Sequence, residues 1–179
     1  MCVFTNGIER STSELYRLTC SLCASQDRQV VAERLIQASR LGQVDIVEKL
    51  IQDGDDVNVA DSDGWFPIHW ASFYRNLELC KVLINAGANV NSINSEGWTP
   101  LHFAVVELDF DLFDFLINSG ADIYTTTVDE KTARDLALNA WNQYYAYLCS
   151  QKNSEEILEC THQSMKDNYE KINDRLKLF

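Results

Sequence analysis

Asp63-Gly64-Trp65-Phe66-Pro67-Ile68-His69-Trp70-Ala71 returns 33 residues later as Glu96-Gly97-Trp98-Thr99-Pro100-Leu101-His102-Phe103-Ala104. These two phrases hold the only prolines of the 179-residue chain, Pro67 and Pro100. The glycines keep the same beat: Gly54, Gly87 and Gly120 step by 33, and so do Gly64 and Gly97. Proline restricts the backbone and glycine frees it, so their recurrence at one interval marks a chain that bends the same way each time. A supersecondary unit repeated at this period stacks into a solenoid instead of closing around a single core.

On that beat the chain divides into units at 28–60, 61–93, 94–126 and 127–152, with a leader at 1–27 and a trailing segment at 153–179. A turn around Asp61 to Gly64 leads to Pro67, which suits the first helical position because its missing N–H costs nothing there. In the third unit Thr99 precedes Pro100, and its hydroxyl can cap the helix start. The first helix runs to about Tyr74, or Glu107 one unit later. Each second helix then carries apolar pairs: Ile46/Val47 with Leu50/Ile51, Leu79/Cys80 with Leu83/Ile84, and Leu112/Phe113 with Leu116/Ile117. The i, i+1, i+4, i+5 spacing fills one helical face, which is predicted to be core. Gly54, Gly87 and Gly120 follow, where a left-handed residue ends a helix.

This grammar resembles the ankyrin repeat family. The matching residues are Gly64, Pro67, His69, Ala71, Gly87, Ala88, Val90 and Asn91, then Gly97, Thr99, Pro100, Leu101, His102, Ala104, Gly120 and Ala121. The resemblance implies an all-α solenoid of L-shaped units, each two antiparallel helices with a projecting turn. It also implies that the tips and first helices form a concave face that grips protein partners, and that His69 and His102 tie adjacent turns together by hydrogen bonds. A catalytic or zinc role for these histidines would need a nucleophile or further ligands, and none is spaced for it.

The ends depart from the pattern. The first unit reads Glu33-Arg34-Leu35-Ile36 where the others have the proline phrase, so its leading turn is expected to be absent. The fourth reads Thr132-Ala133-Arg134-Asp135, and its second helix is expected to carry Tyr144, Tyr145, Tyr147 and Leu148. Residues 12–24 are predicted to form a short amphipathic helix over the first unit. Residues 154–178 are predicted to form a longer one, with Leu158, Met165 and Ile172 spaced by seven and Tyr169 and Leu176 alongside. Its favoured role is a cap over the fourth unit. The alternative is a coiled-coil or partner-docking helix.

At 46% hydrophobic residues the composition is that of a globular protein. No apolar run reaches the length of a membrane span, and the first residues lack a basic region followed by an apolar stretch, so secretion is not expected. The six cysteines are scattered without a disulfide framework, pointing to the cytoplasm or nucleus. Cys20-x-x-Cys23 makes half a zinc site at best. Asp109, Asp111 and Asp114 lack the glycine and glutamate of a calcium loop and read as the exposed side of a helix. Phosphate cradles, paired-carboxylate motifs and nucleophile elbows are missing. The expectation is therefore a non-enzyme without metal or cofactor.

Charge is concentrated. Residues 44–135 hold seventeen acids against five bases and carry the whole net charge of −12. Such a field repels nucleic acid and anionic membrane and attracts a basic protein face or segment. By analogy with the family, Trp65 and Trp98 sit at the bases of neighbouring tips, with Asp63 and Glu96 on the rim. Phe73 and Tyr74, with their counterparts Val106 and Glu107, line the concave floor. Tryptophan and tyrosine ringed by charge describe a binding hot spot; the plainer account is that the two indoles stack on each other as units pack. The functional expectation is an adaptor or regulatory subunit, monomeric, binding a basic partner. The alternatives are a phosphatase-targeting or kinase-inhibiting array, although Val3-Phe4 lacks the basic residue of the phosphatase docking peptide, and a self-associating protein that uses its C-terminal helix.

Overall fold

A computed structural model describes residues 33–150 and 155–177. The predicted 12–24 helix and Cys20-x-x-Cys23 lie outside the described residues. The helices are α1 (33–40), α2 (Val44–Gln52), α3 (Pro67–Phe73), α4 (Leu77–Asn85), α5 (Pro100–Val106), α6 (Phe110–Asn118), α7 (Ala133–Ser150) and α8 (Glu155–Lys177). No strand occurs among the described residues beyond one bridge, Thr126 to Thr132.

The two proline phrases build the same helix start. Pro67 and Pro100 occupy the first positions of α3 and α5, after extended backbone at Phe66 and Thr99. Thr99 Oγ1 accepts from the His102 N–H, while the Thr99 N–H donates to His102 Nδ1 at 3.1 Å. That reciprocal pair satisfies two donors that a helix start otherwise leaves open. Phe66 has no acceptor in its ring, so α3 keeps only the return half, Phe66 N–H to His69 Nδ1 at 3.1 Å. The second helices start on different caps: Asn76 Oδ1 accepts from Leu79 N at 3.0 Å, and Asp109 Oδ1 from Leu112 N at 3.1 Å.

The predicted apolar face is core in the middle units. Leu79, Cys80, Leu83, Leu112, Phe113 and Leu116 are fully buried. Each large side chain among them contributes about 1.5–3 kcal/mol on burial. Ile46 departs from expectation at 45% exposed, although its counterparts Leu79 and Leu112 are buried. It lines a surface depression of the first unit with Glu33, Arg34, Gln37 and Leu41.

The fourth unit also departs from expectation. No turn splits it: α7 runs unbroken for 18 residues. In the preceding units the turn between helices holds a left-handed residue at one register, Gly42, Arg75 and Leu108 (φ 67°, 56° and 52°). Trp141 stands 33 residues after Leu108, and its ring instead stacks on Tyr169 of α8 at 4.9 Å and 10°. The second-helix place is taken by α8, which packs on both α6 and α7. Ile172 and Leu176 enter the core, Met165 and Tyr169 pack partly against it, and Asn168 Nδ2 donates to Leu108 O at 3.2 Å. Met165, Tyr169, Ile172 and Leu176 of the stripe read from the sequence are thus spent on the array itself, while the Leu158 side chain lies outside the described residues.

Neighbouring units are tied by side chains that repeat. Asn58 Oδ1 accepts from Asn89 N at 2.8 Å and its Nδ2 donates to Gly87 O at 3.0 Å; Asn91 does the same to Asp122 N and Gly120 O, at 2.8 and 3.1 Å. His69 Nε2 meets Ser92 O at 3.0 Å, and His102 Nε2 meets Thr125 O at 3.1 Å. Tips approach closely enough to exclude a side chain. A Cβ on Gly97 (φ 78°) would stand 2.7 Å from Val128 N, whereas one on Gly54 (φ 96°) would meet nothing within 4 Å.

That contrast predicts unequal costs. Gly54→Ala suffers backbone strain alone, about 1 kcal/mol, while Gly97→Ala adds a clash with fixed backbone and loses about 3 kcal/mol or more. Urea unfolding of the two variants measures the difference. Equal losses would mean that the tips do not pack as described.

Candidate functional site

Trp65 and Trp98 do not stack on each other. Phe103, from α5, stands between them, 5.0 Å from each ring centroid. Trp70 covers the other side of Trp65 at 4.4 Å and 30°, and Tyr74 continues from Trp70 at 6.3 Å and 19°. The result is one aromatic ladder, Tyr74–Trp70–Trp65–Phe103–Trp98, crossing from the second unit into the third. Phe73 meets Trp65, Trp70, Tyr74 and Phe103 edge-on at 5.1–6.3 Å. Offset and edge-to-face pairs of this kind contribute about 0.5–1.5 kcal/mol each beyond area burial.

The ladder sorts the expected site residues. Phe103 is buried and both faces of Trp65 are covered, so Trp65 offers a partner little more than an edge. Trp70 and Trp98 are half-buried. Phe73 and Tyr74 are the exposed rings, at 41% and 51%. Val106 and Glu107, one repeat further on, are half-buried and carry no ring, so the aromatic floor ends at the second unit.

Asp63 and Glu96 are exposed. Their main-chain carbonyls hold the tips together, Asp63 O accepting from Ser95 Oγ at 2.6 Å and Glu96 O from Val128 N at 3.1 Å. Their carboxylates stay on the rim. Asp61 is spent locally: Oδ1 accepts from the Asp63 and Trp65 N–H groups at 3.0 and 2.8 Å, and Oδ2 from Trp70 Nε1 at 3.4 Å. Asn94 repeats the turn contacts to Glu96 N and Trp98 N, at 3.0 and 2.8 Å. Of the acids set aside as an exposed helix side, Asp109 is instead half-buried, capping α6 and pairing with Arg75 Nε at 3.0 Å.

Sequence reasoning passed over Trp70 and Phe103 as functional candidates. The signal was present: in both phrases an aromatic residue directly follows the repeated histidine. On a helix that position lies about 100° round from the histidine and reaches the groove side. Arg40 was also missed. Its guanidinium carbon lies 5.3 Å from the Trp70 ring centroid.

Cys80 is a poor nucleophile. Burial pushes the Cys80 thiol up to about 12, with Ser72 Oγ at 3.6 Å pulling the other way. A thiol so held is protonated and inert. Among the described residues no three His, Cys, Asp or Glu side chains converge as metal ligands, and no helix is long and apolar enough to cross a membrane.

A family profile described as ankyrin repeats in three copies matches residues 35–127. Curated relatives match over shorter stretches. Protein VAPYRIN-LIKE of Medicago truncatula is 43% identical over 49 residues, 27% of this chain and 11% of that protein. Ankyrin repeat and SOCS box protein 3, from Bos taurus and from Homo sapiens, is 44% identical over 41 residues, 23% of this chain and 8% of that protein. The matches therefore span about a tenth of the relatives' lengths.

Phe103→Ala is expected to lower stability by about 3–5 kcal/mol, because it opens a void between two indoles across a unit boundary. Tyr74→Ala, at the exposed end, should cost about 1 kcal/mol or less. Chemical denaturation followed by tryptophan fluorescence reads both. An unchanged midpoint for Phe103→Ala would show that the ladder is not packed.

Proposed function

This chain belongs to the ankyrin repeat family, and we propose that it is an adaptor or regulatory subunit that grips a basic protein segment in its concave groove. Ankyrin repeats mediate protein–protein interaction, and the family is typically non-enzymatic. The observation that carries the narrower reading is the exposed pair Phe73 and Tyr74, backed by a rigid ladder whose two tips carry the exposed carboxylates Asp63 and Glu96. Rigid aromatic rings lose little side-chain entropy on contact, so a preformed patch favours binding. The seventeen acids of residues 44–135 steer a basic partner toward it.

Binding would act by occlusion or tethering, with no chemistry on the partner. We place the encounter in the cytoplasm or nucleus, where a free thiol such as Cys80 persists. The use of Ile172 and Leu176 in the core favours a monomer over self-association through α8.

The test is quantitative capture from lysate with the wild type and with Phe73→Ala/Tyr74→Ala as baits. The double variant should keep its melting temperature within a few degrees and lose the retained partner about tenfold or more, the scale of a binding hot spot. Retention should also fall as salt rises, chiefly through slower association. Equal, salt-independent capture by both baits would refute the reading.

A further inference from the structure

A cleft of about 550 Å³ lies between α1 and the turn that opens the second unit. Glu33 and Arg40 line it from α1, Asp61 and Asp63 from the turn, and Trp70 from α3. Trp65 stacks on Trp70 at 4.4 Å, Tyr74 stacks on it more distantly at 6.3 Å, and Arg40 of this same chain lies over its ring at 5.3 Å. Among the described residues no carboxylate forms an ion pair with Arg40. The cleft therefore already holds a guanidinium against an indole while its acids are left over. Asp61 is engaged by three donors, leaving Glu33 and Asp63 as the exposed carboxylates within it.

We infer that this cleft is a receptor for one arginine side chain of the basic partner, and that Arg40 is a resident stand-in which the incoming arginine displaces from Trp70. The inference rests on the proposed function and names the side chain the groove selects. The physical basis is exchange of like for like. A guanidinium over an indole at an exposed site is held weakly enough to leave. The visitor gains the same ring face and, in addition, a planar donor fork directed at Asp63 or Glu33, a geometry suited to arginine. Arg40 is exposed, so when displaced it returns to water without burying a charge. Its presence lowers the affinity of the empty cleft for stray cations and sets a threshold that a single weak contact does not pass.

The experiment titrates a blocked penta-arginine peptide into the protein by calorimetry, with tryptophan fluorescence as a second readout. Arg40→Gln removes the resident cation. Arg34→Gln removes the same charge from the same helix but lies outside the cleft, so it controls for net charge. Arg40→Gln should tighten binding about two- to fivefold more than Arg34→Gln does, the range of a surface cation–π contact. Trp70→Leu, checked for folding by its melting curve, should erase that difference. Equal tightening by the two arginine variants, or a difference that survives Trp70→Leu, overturns the cleft assignment. If the wild type fails to bind the peptide at all, the cleft assignment also falls. Each of these failures leaves the Phe73/Tyr74 capture result standing, so the two readings fail separately.

Discussion

One imidazole in each of the two middle units joins three parts of the chain, and the array depends on its being neutral. In the second unit the Phe66 N–H donates to His69 Nδ1, which must then carry a lone pair. The proton is left on Nε2, where it is donated to Ser92 O in the next tip. His102 repeats this with the Thr99 N–H and Thr125 O. A single ring thus closes its own helix start and fastens the following unit. Adding a second proton would turn Nδ1 into a donor facing another donor inside the fold. Burial opposes that proton further, lowering His69 from its ordinary 6.5 to about 4, and lowering His102 in the same direction. Ser92 O and Asp61 pull the other way, and burial outweighs them.

With tips and helix starts fixed, the side chains after each histidine fall into one line. Trp70 and Phe103 interleave with the tip tryptophans instead of leaving those two in direct contact. The ladder makes the groove of the second and third units a single stiff surface. The outer rings, Phe73 and Tyr74, remain exposed, while Trp65 has a ring on each side.

The repeat itself was legible because glycine, proline and histidine mark backbone geometry, which sequence spacing displays directly. The two-helix units at α3/α4 and α5/α6 and their buried second-helix faces follow from that spacing. The fourth unit was not legible. The break between helices is carried by a left-handed turn that Arg75 and Leu108 adopt as readily to the eye as Trp141 would. The packing of α8 on α6 and α7, with Trp141 stacked on Tyr169, shows that this helix from beyond the expected unit fills the vacant place. The ladder was half legible. Its members stood in the quoted phrases, but which ring sits between which depends on the offset of successive units, a three-dimensional quantity. Arg40 had no signal, since a lone arginine in a divergent first unit looks like any solvated charge.

The neutral bridge sets how stability responds to pH. A histidine whose folded value lies below its unfolded value contributes stability that is complete above about 6.5, and this is lost as pH falls toward about 4. The most direct measurement is a heteronuclear NMR titration of the His69 ring nitrogens. At pH 5.5 an ordinary imidazole is about nine-tenths charged. The account predicts that His69 remains neutral there, with its proton on Nε2. A charged ring at that pH, titration near 6.5, or a proton on Nδ1 would contradict it.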